Sequence, residues 1–133
     1  MKGIPVREEL TDEWKKRGGE SNLDYAILTN EISRGTFGIT TNQHKELKKL
    51  DKKKNLRDNI SPLELALTTL AEVTTTEIHR AKDSHSMVEL KIDARKGGNI
   101  PSETRVKIEQ EIGKSVLTSE TSIDFKEKKE KLY

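Results

Sequence analysis

Apolar residues along this chain recur mostly at three- and four-residue steps, the spacing of one face of an α-helix. The clearest run is Ser61 to Lys82, SPLELALTTLAEVTTTEIHRAK. Ser61 followed by Glu64 forms a capping box, and Pro62 falls at the first helical position, where its missing N–H costs nothing. Leu63, Ala66, Leu67, Leu70, Val73 or Thr74, and Ile78 then make a stripe that Leu65 and Ala71 widen. The pattern predicts a central helix near 62–82, buried between its neighbours.

The flanking segments follow the same period. Val6, Leu10 and Trp14 predict a helix over residues 5–17, opened by Pro5 and stopped by Gly18-Gly19. Ser21 or Asn22 can cap a second helix with Leu23, Ala26, Ile27 and Ile32 on one side and Gly35 near its end. Thr40 or Thr41 can cap a short, mostly exposed helix running through Leu50, followed by a connector over 51–60. Beyond the central helix, caps within Asp83 to Ser86 predict a helix containing Met87, Leu90 and Ala94 and closed by Gly97-Gly98. Ser102 then caps another, with Val106, Ile108 and Ile112, ending at Gly113. Val116, Leu117 and the alternating residues after them look extended. The expected fold is an all-α bundle of five or six short-to-medium helices, a helical domain over 1–125 with a charged flexible tail over 126–133.

Composition narrows this picture. With 133 residues, 31% hydrophobic and 36% charged, the chain builds one modest core and solvated helix faces. A thin core favours self-association, and a two-fold homodimer is the expected assembly, with the helices around Trp14, Leu28 and Thr75 as its surfaces. The semi-polar Thr74-Thr75-Thr76 group belongs to the last of these. Absence of cysteine removes disulfides and thiolate chemistry and fits a reducing cytoplasm. No apolar run approaches the roughly 20 residues of a membrane span, and no signal-peptide core follows Met1, so a cytoplasmic location and no membrane partner are expected.

Candidate chemistry is sparse. His44, His79 and His85 occupy no HxxxH or HExxH spacing, so no metal site is predicted. The glycine pairs match neither phosphate-loop pattern and read as helix termini. Asp83, Ser84 and His85 read as capping residues, since a triad needs side chains converging from separate elements. No catalytic residue, cofactor-binding residue or cofactor is assigned. The sharpest anomaly is KELKKLDKKKNLR over residues 45–57, seven basic side chains against two acids in a chain of net charge +2. Lys45, Lys48, Lys49, Lys52, Lys53, Lys54 and Arg57 are the candidate contacts for nucleic-acid phosphate or an acidic protein partner. The run has no aromatic residue for base stacking, so any nucleic-acid binding is expected to be sequence-independent.

Several phrases together resemble one family: VREELTDEWKKRG, DYAILTNEISRGTFGIT, HKELKKL, KKNLRDNISPLELALTTLAEVTTTEI, and the later KGGN with its following helix. They are similar to the C-terminal half of DNA-damage-inducible protein D-like (DinD-like) proteins, which also occurs behind BRO-type domains in phage-antirepressor-like proteins. The resemblance spans roughly residues 4–125 and includes no catalytic signature. It implies a non-enzymatic interaction or regulatory domain in the DNA-damage response or in phage and mobile-element biology, with a recombinase–DNA filament or another DNA-repair protein as partner. The chain starts with its first helix and shows no preceding BRO-type domain, so the DNA binding presumed for that domain does not carry over. Either a standalone protein or the C-terminal part of a longer one is expected.

Overall fold

A computed structural model describes residues 4–131, with side chains over 6–127. Six α-helices and one 3-10 turn are described: α1 (Ile4–Lys16), α2 (Asn22–Phe37), α3 (Thr41–Leu47), the turn Arg57–Asn59, α4 (Pro62–Lys82), α5 (Met87–Ile112) and α6 (Ser122–Lys131). No strand occurs among the described residues. The all-α bundle is as the periodicity predicts.

Local chemistry explains most helix starts. Ser21 with Asp24, Thr40 with Gln43, and Ser61 with Glu64 each form a reciprocal capping box, and the Ser86 side chain caps α5. Each such cap contributes about 0.5–2 kcal/mol by satisfying backbone N–H groups that the helix cannot. Gly18, Gly38 and Gly113 take positive φ after α1, α2 and α5. Helix α2 therefore runs past Gly35, and Lys49, at φ 58, ends α3 short of Leu50.

The largest departure from the sequence pattern lies in α5, one helix of 26 residues where two were expected. Gly97-Gly98 does not end a helix; it lets three helices touch. A Cβ on Gly98 would lie 2.3 Å from the Ile32 carbonyl oxygen, one on Gly35 2.8 Å from the Arg95 carbonyl oxygen, and one on Gly97 2.0 Å from Thr75 Oγ1. Backbones of α2 and α5 are thus in direct contact, with Thr75 of α4 seated against Gly97. Pro101 stays inside the helix, where it offers no N–H to the Gly97 carbonyl four residues back. Helix α5 is consequently the element against which α2 and α4 pack most extensively, while α1 lies on α4.

Two apolar clusters result. Leu10, Trp14, Leu28, Ile32, Ala71, Leu90 and Ala94 form one, with Tyr25 and Met87 against it; Phe37, Leu67 and Val116 form the other, with Ile39, Ile108 and Leu117. Helix α4 is central, but its buried face is not the predicted one. Glu64, Leu67, Ala71, Glu72, Thr75, Thr76 and His79 point inward, whereas Leu63, Ala66, Leu70 and Val73 are exposed. Burying this polar face is tolerable because all but one of its polar side chains find partners; the exception is Thr75 Oγ1. Trp14, Leu28 and Thr75 are themselves fully buried, so any dimer surface on their helices must use other residues of those helices. Val116 is buried beside α4 as the chain turns into α6. Lys126, where the sequence pattern predicts a loose tail, lies inside that helix; Leu132 and Tyr133 fall outside the described residues.

Candidate anion-binding cleft

Folding divides the basic run between structural and exposed roles. Lys48 leaves the surface altogether: its side chain is 0% exposed and its Nζ lies 2.5 Å from Glu64 Oε1. Its ammonium also donates to the Glu120 carbonyl. Lys48 is therefore a buried ion-pair partner, not a candidate contact: it stands at the C-cap of α3 and its side chain turns inward to Glu64 in the first turn of α4. Lys49 and Lys52 are exposed and do not line the cleft described next. Lys45, Lys53, Lys54 and Arg57 do line it.

This cleft, about 520 Å³ in volume, opens between α2, α3, the 48–61 connector and α4. Its cationic complement is completed by Arg7 of α1, which lies about fifty residues earlier in the chain and which nothing in the local sequence singles out. Lys45 Nζ donates to the Lys52 carbonyl oxygen at 3.0 Å, pinning the connector as a wall. Among the residues lining the cleft, Glu72 is the sole carboxylate. Arg7 Nη1 reaches it at 3.2 Å, and Arg57 pairs with its other oxygen. Arg7 is held further by a bond to Thr29 Oγ1 at 2.7 Å and by its guanidinium carbon 5.1 Å from the Trp14 ring centre. Burial lowers the Arg7 pKa, Glu72 opposes that shift, and the neighbouring Arg57 adds to it. Two guanidinium charges meeting one carboxylate leave this floor with positive charge in excess.

A signal for Glu72 does exist in the sequence. Glu64, Thr68, Glu72, Thr75 or Thr76, and His79 recur at helical spacing, forming a polar stripe opposite the apolar one. Hydropathy favours the apolar stripe as the core face, so the polar one is passed over.

Two buried histidines flank the fold without forming a catalytic or metal site. His79 Nδ1 lies 3.0 Å from Asp93 Oδ2, which also accepts from Ser84 Oγ at 2.5 Å, while Trp14 Nε1 donates to His79 Nε2 at 3.1 Å. Serine and histidine meet on the carboxylate instead of on each other, the wrong order for nucleophile activation. Ser84 is thus a buried partner of Asp93, while Asp83 ends α4 at φ 51. His44 Nε2 lies 3.3 Å from Glu64 Oε2, beside the Lys48 pair. Among the described residues no group of three or more metal-binding side chains gathers, and no helix is long and apolar enough to cross a membrane.

Comparison with known proteins returns no matching family model, no matching curated protein and no matching solved structure.

Proposed function

We propose that the chain is a non-enzymatic interaction domain that engages nucleic-acid phosphate through the cationic cleft, without regard to base sequence. The observation that carries this reading is the convergence of Lys45, Lys53, Lys54, Arg57 and Arg7 on one concavity whose single carboxylate is already shared by two arginines. The DinD-like resemblance supplies the setting: DNA-damage response or phage and mobile-element biology in a cytoplasm, with the phosphate presented by bare DNA or by a recombinase–DNA filament.

Salt titration tests the proposal. Each neutralised phosphate contributes about 0.9 to the slope of log affinity against log salt on duplex DNA, so three or four contacts give roughly −3. Lys53→Glu with Lys54→Glu should abolish binding at unchanged stability, because both side chains are exposed on the connector. Lys52→Glu, outside the cleft, should weaken it far less. Wild-type protein that binds neither duplex nor single strands at low salt overturns the reading and leaves an acidic protein as the cleft's partner.

A homodimer is part of the same proposal, now on the exposed Leu63, Ala66, Leu70 and Val73 stripe of α4. Light scattering should show a dimer that Leu70→Glu dissociates. A monomer at high micromolar concentration ends this component.

A further inference from the structure

The cleft is lined by two kinds of surface, one cationic and one apolar. Pockets for small molecules span roughly 300–1,000 Å³, and this one falls within that range at about 520 Å³. Lys53, Lys54 and Arg57 bring charge from the connector, whereas Ile32, Phe37, Leu56 and Ile60 supply apolar lining. Between the apolar side chains stand hydroxyls whose protons are already committed. Ser33 Oγ donates to the Ile39 carbonyl at 2.6 Å and Thr68 Oγ1 to that of Glu64 at 2.8 Å. Each oxygen is left with acceptor capacity alone, so the recess favours a ligand that brings N–H donors.

The ligand chemistry follows from the two halves together. Inorganic phosphate would satisfy the cations but leave the apolar recess empty. An alkyl phosphate would fill the recess but leave the hydroxyl oxygens unmatched. A flat, amino-bearing heterocycle joined to a phosphate satisfies both. We propose that the cleft is a binding site for one nucleoside phosphate, with its phosphate held by Lys53, Lys54 and Arg57 and its base in the recess lined by Ile32, Phe37 and Ile60. This inference rests on the cleft being the working surface of the domain, and it names what that surface selects.

Titration calorimetry on the full chain tests it with three probes: adenosine monophosphate, inorganic phosphate and a short oligodeoxyadenylate. Adenosine monophosphate should bind about tenfold or more tightly than inorganic phosphate, since only it buries a base. Thr68→Phe places a ring in the recess and leaves every cation intact. It should weaken adenosine monophosphate about tenfold while leaving the salt-dependent binding of duplex DNA unchanged. Leu56→Trp fills the same recess from the connector, so a folding defect in one variant, read by urea unfolding, does not remove the test.

Displacement of bound adenosine monophosphate by the oligonucleotide identifies the ligand as a nucleotide within a strand. Failure to displace it identifies a free nucleotide, and both outcomes support the site. Equal affinity for the two small probes, no binding of adenosine monophosphate at millimolar concentration, or insensitivity to both recess variants overturns it. Duplex binding that survives any of these results leaves the cationic reading of the cleft standing, so the two failures are distinguishable.

Discussion

Both ends of α4 bury a histidine against a carboxylate, yet the two pairs solve the problem of buried charge differently. Near the C-terminal end, His79 lies between Trp14 and Asp93. Trp14 can only donate, so His79 Nε2 must accept, which places the imidazole proton on Nδ1 facing Asp93. Burial pushes the His79 pKa below 6.5, with Arg17 adding to the shift and Asp93 and Glu13 opposing it. Burial and the Trp14 N–H on Nε2 both favour the neutral imidazole. Near the N-terminal end, Glu64 accepts from His44, Lys48 and the Ser61 backbone N–H. Burial alone would raise the Glu64 pKa, but these donors outweigh it and hold it below 4.5. One end is a hydrogen-bond relay around a neutral ring; the other is an ion pair sealed from solvent. The ionic end also orders the start of the connector that walls the cleft, because Lys48 is its first residue.

Breaking the ionic end should have the largest effect. Glu64→Ala strands the Lys48 ammonium in the interior and removes the capping box, and loss of one partner of a buried pair costs about 3–5 kcal/mol. Urea unfolding should show that loss, and Glu64→Ala combined with Lys48→Met should recover part of it, since no lone charge then remains buried. Equal loss in the single and double variants would contradict the ionic account.

The relay should break more gently. Trp14→Phe keeps a ring in the core but leaves His79 Nε2 without its donor, a defect of about 1–3 kcal/mol together with a small packing loss. Chemical denaturation of the variant measures it.

Smallest is the dependence on pH, which sharpens the contrast without changing a residue. The His79 pKa is lower in the folded protein, so below 6.5 the unfolded chain binds more protons there and stability falls with falling pH. This contribution is complete above that value, and its slope cannot exceed about 1.4 kcal/mol per pH unit for one proton. The depressed Glu64 pKa acts in a separate window, with stability present above 4.5 and lost as pH falls through the folded value. His79→Gln should remove the upper slope and leave the lower one. Stability that is flat between pH 7 and 5 would contradict a buried neutral His79.

Elements governed by their own residues were legible in the sequence; those governed by a distant neighbour were not. Ser61 and Glu64 mark a helix start because the bonds they make are three residues apart. Gly18 and Gly113 mark helix ends for a similarly local reason. Gly97-Gly98 carries the same local signal but answers to Ile32 and Thr75, which chain order does not place beside it. The apolar stripe of α4 misleads in a related way: burial follows where partners for Glu64, Glu72 and His79 stand, and those partners include His44 of α3, Arg7 of α1 and Asp93 of α5. For the candidate site, the run over 45–57 revealed most of the cations. It could not show that Lys48 turns inward, that Arg7 joins from the other end of the chain, or that the charge surrounds a recess instead of covering a flat patch.

The contact between Gly35 and Gly98 also determines which sequences can share this architecture. Where two helix backbones touch, a hydrogen atom is the largest side chain either position accepts, and even alanine forces the helices apart. Exposed charged positions outside the ion pairs and caps carry no such steric limit. A search for distant relatives weighted toward glycine at these two positions and at Gly97, with little demand on the residues between, would follow the constraint the fold imposes. Overall similarity averages that constraint away among the lysines and glutamates.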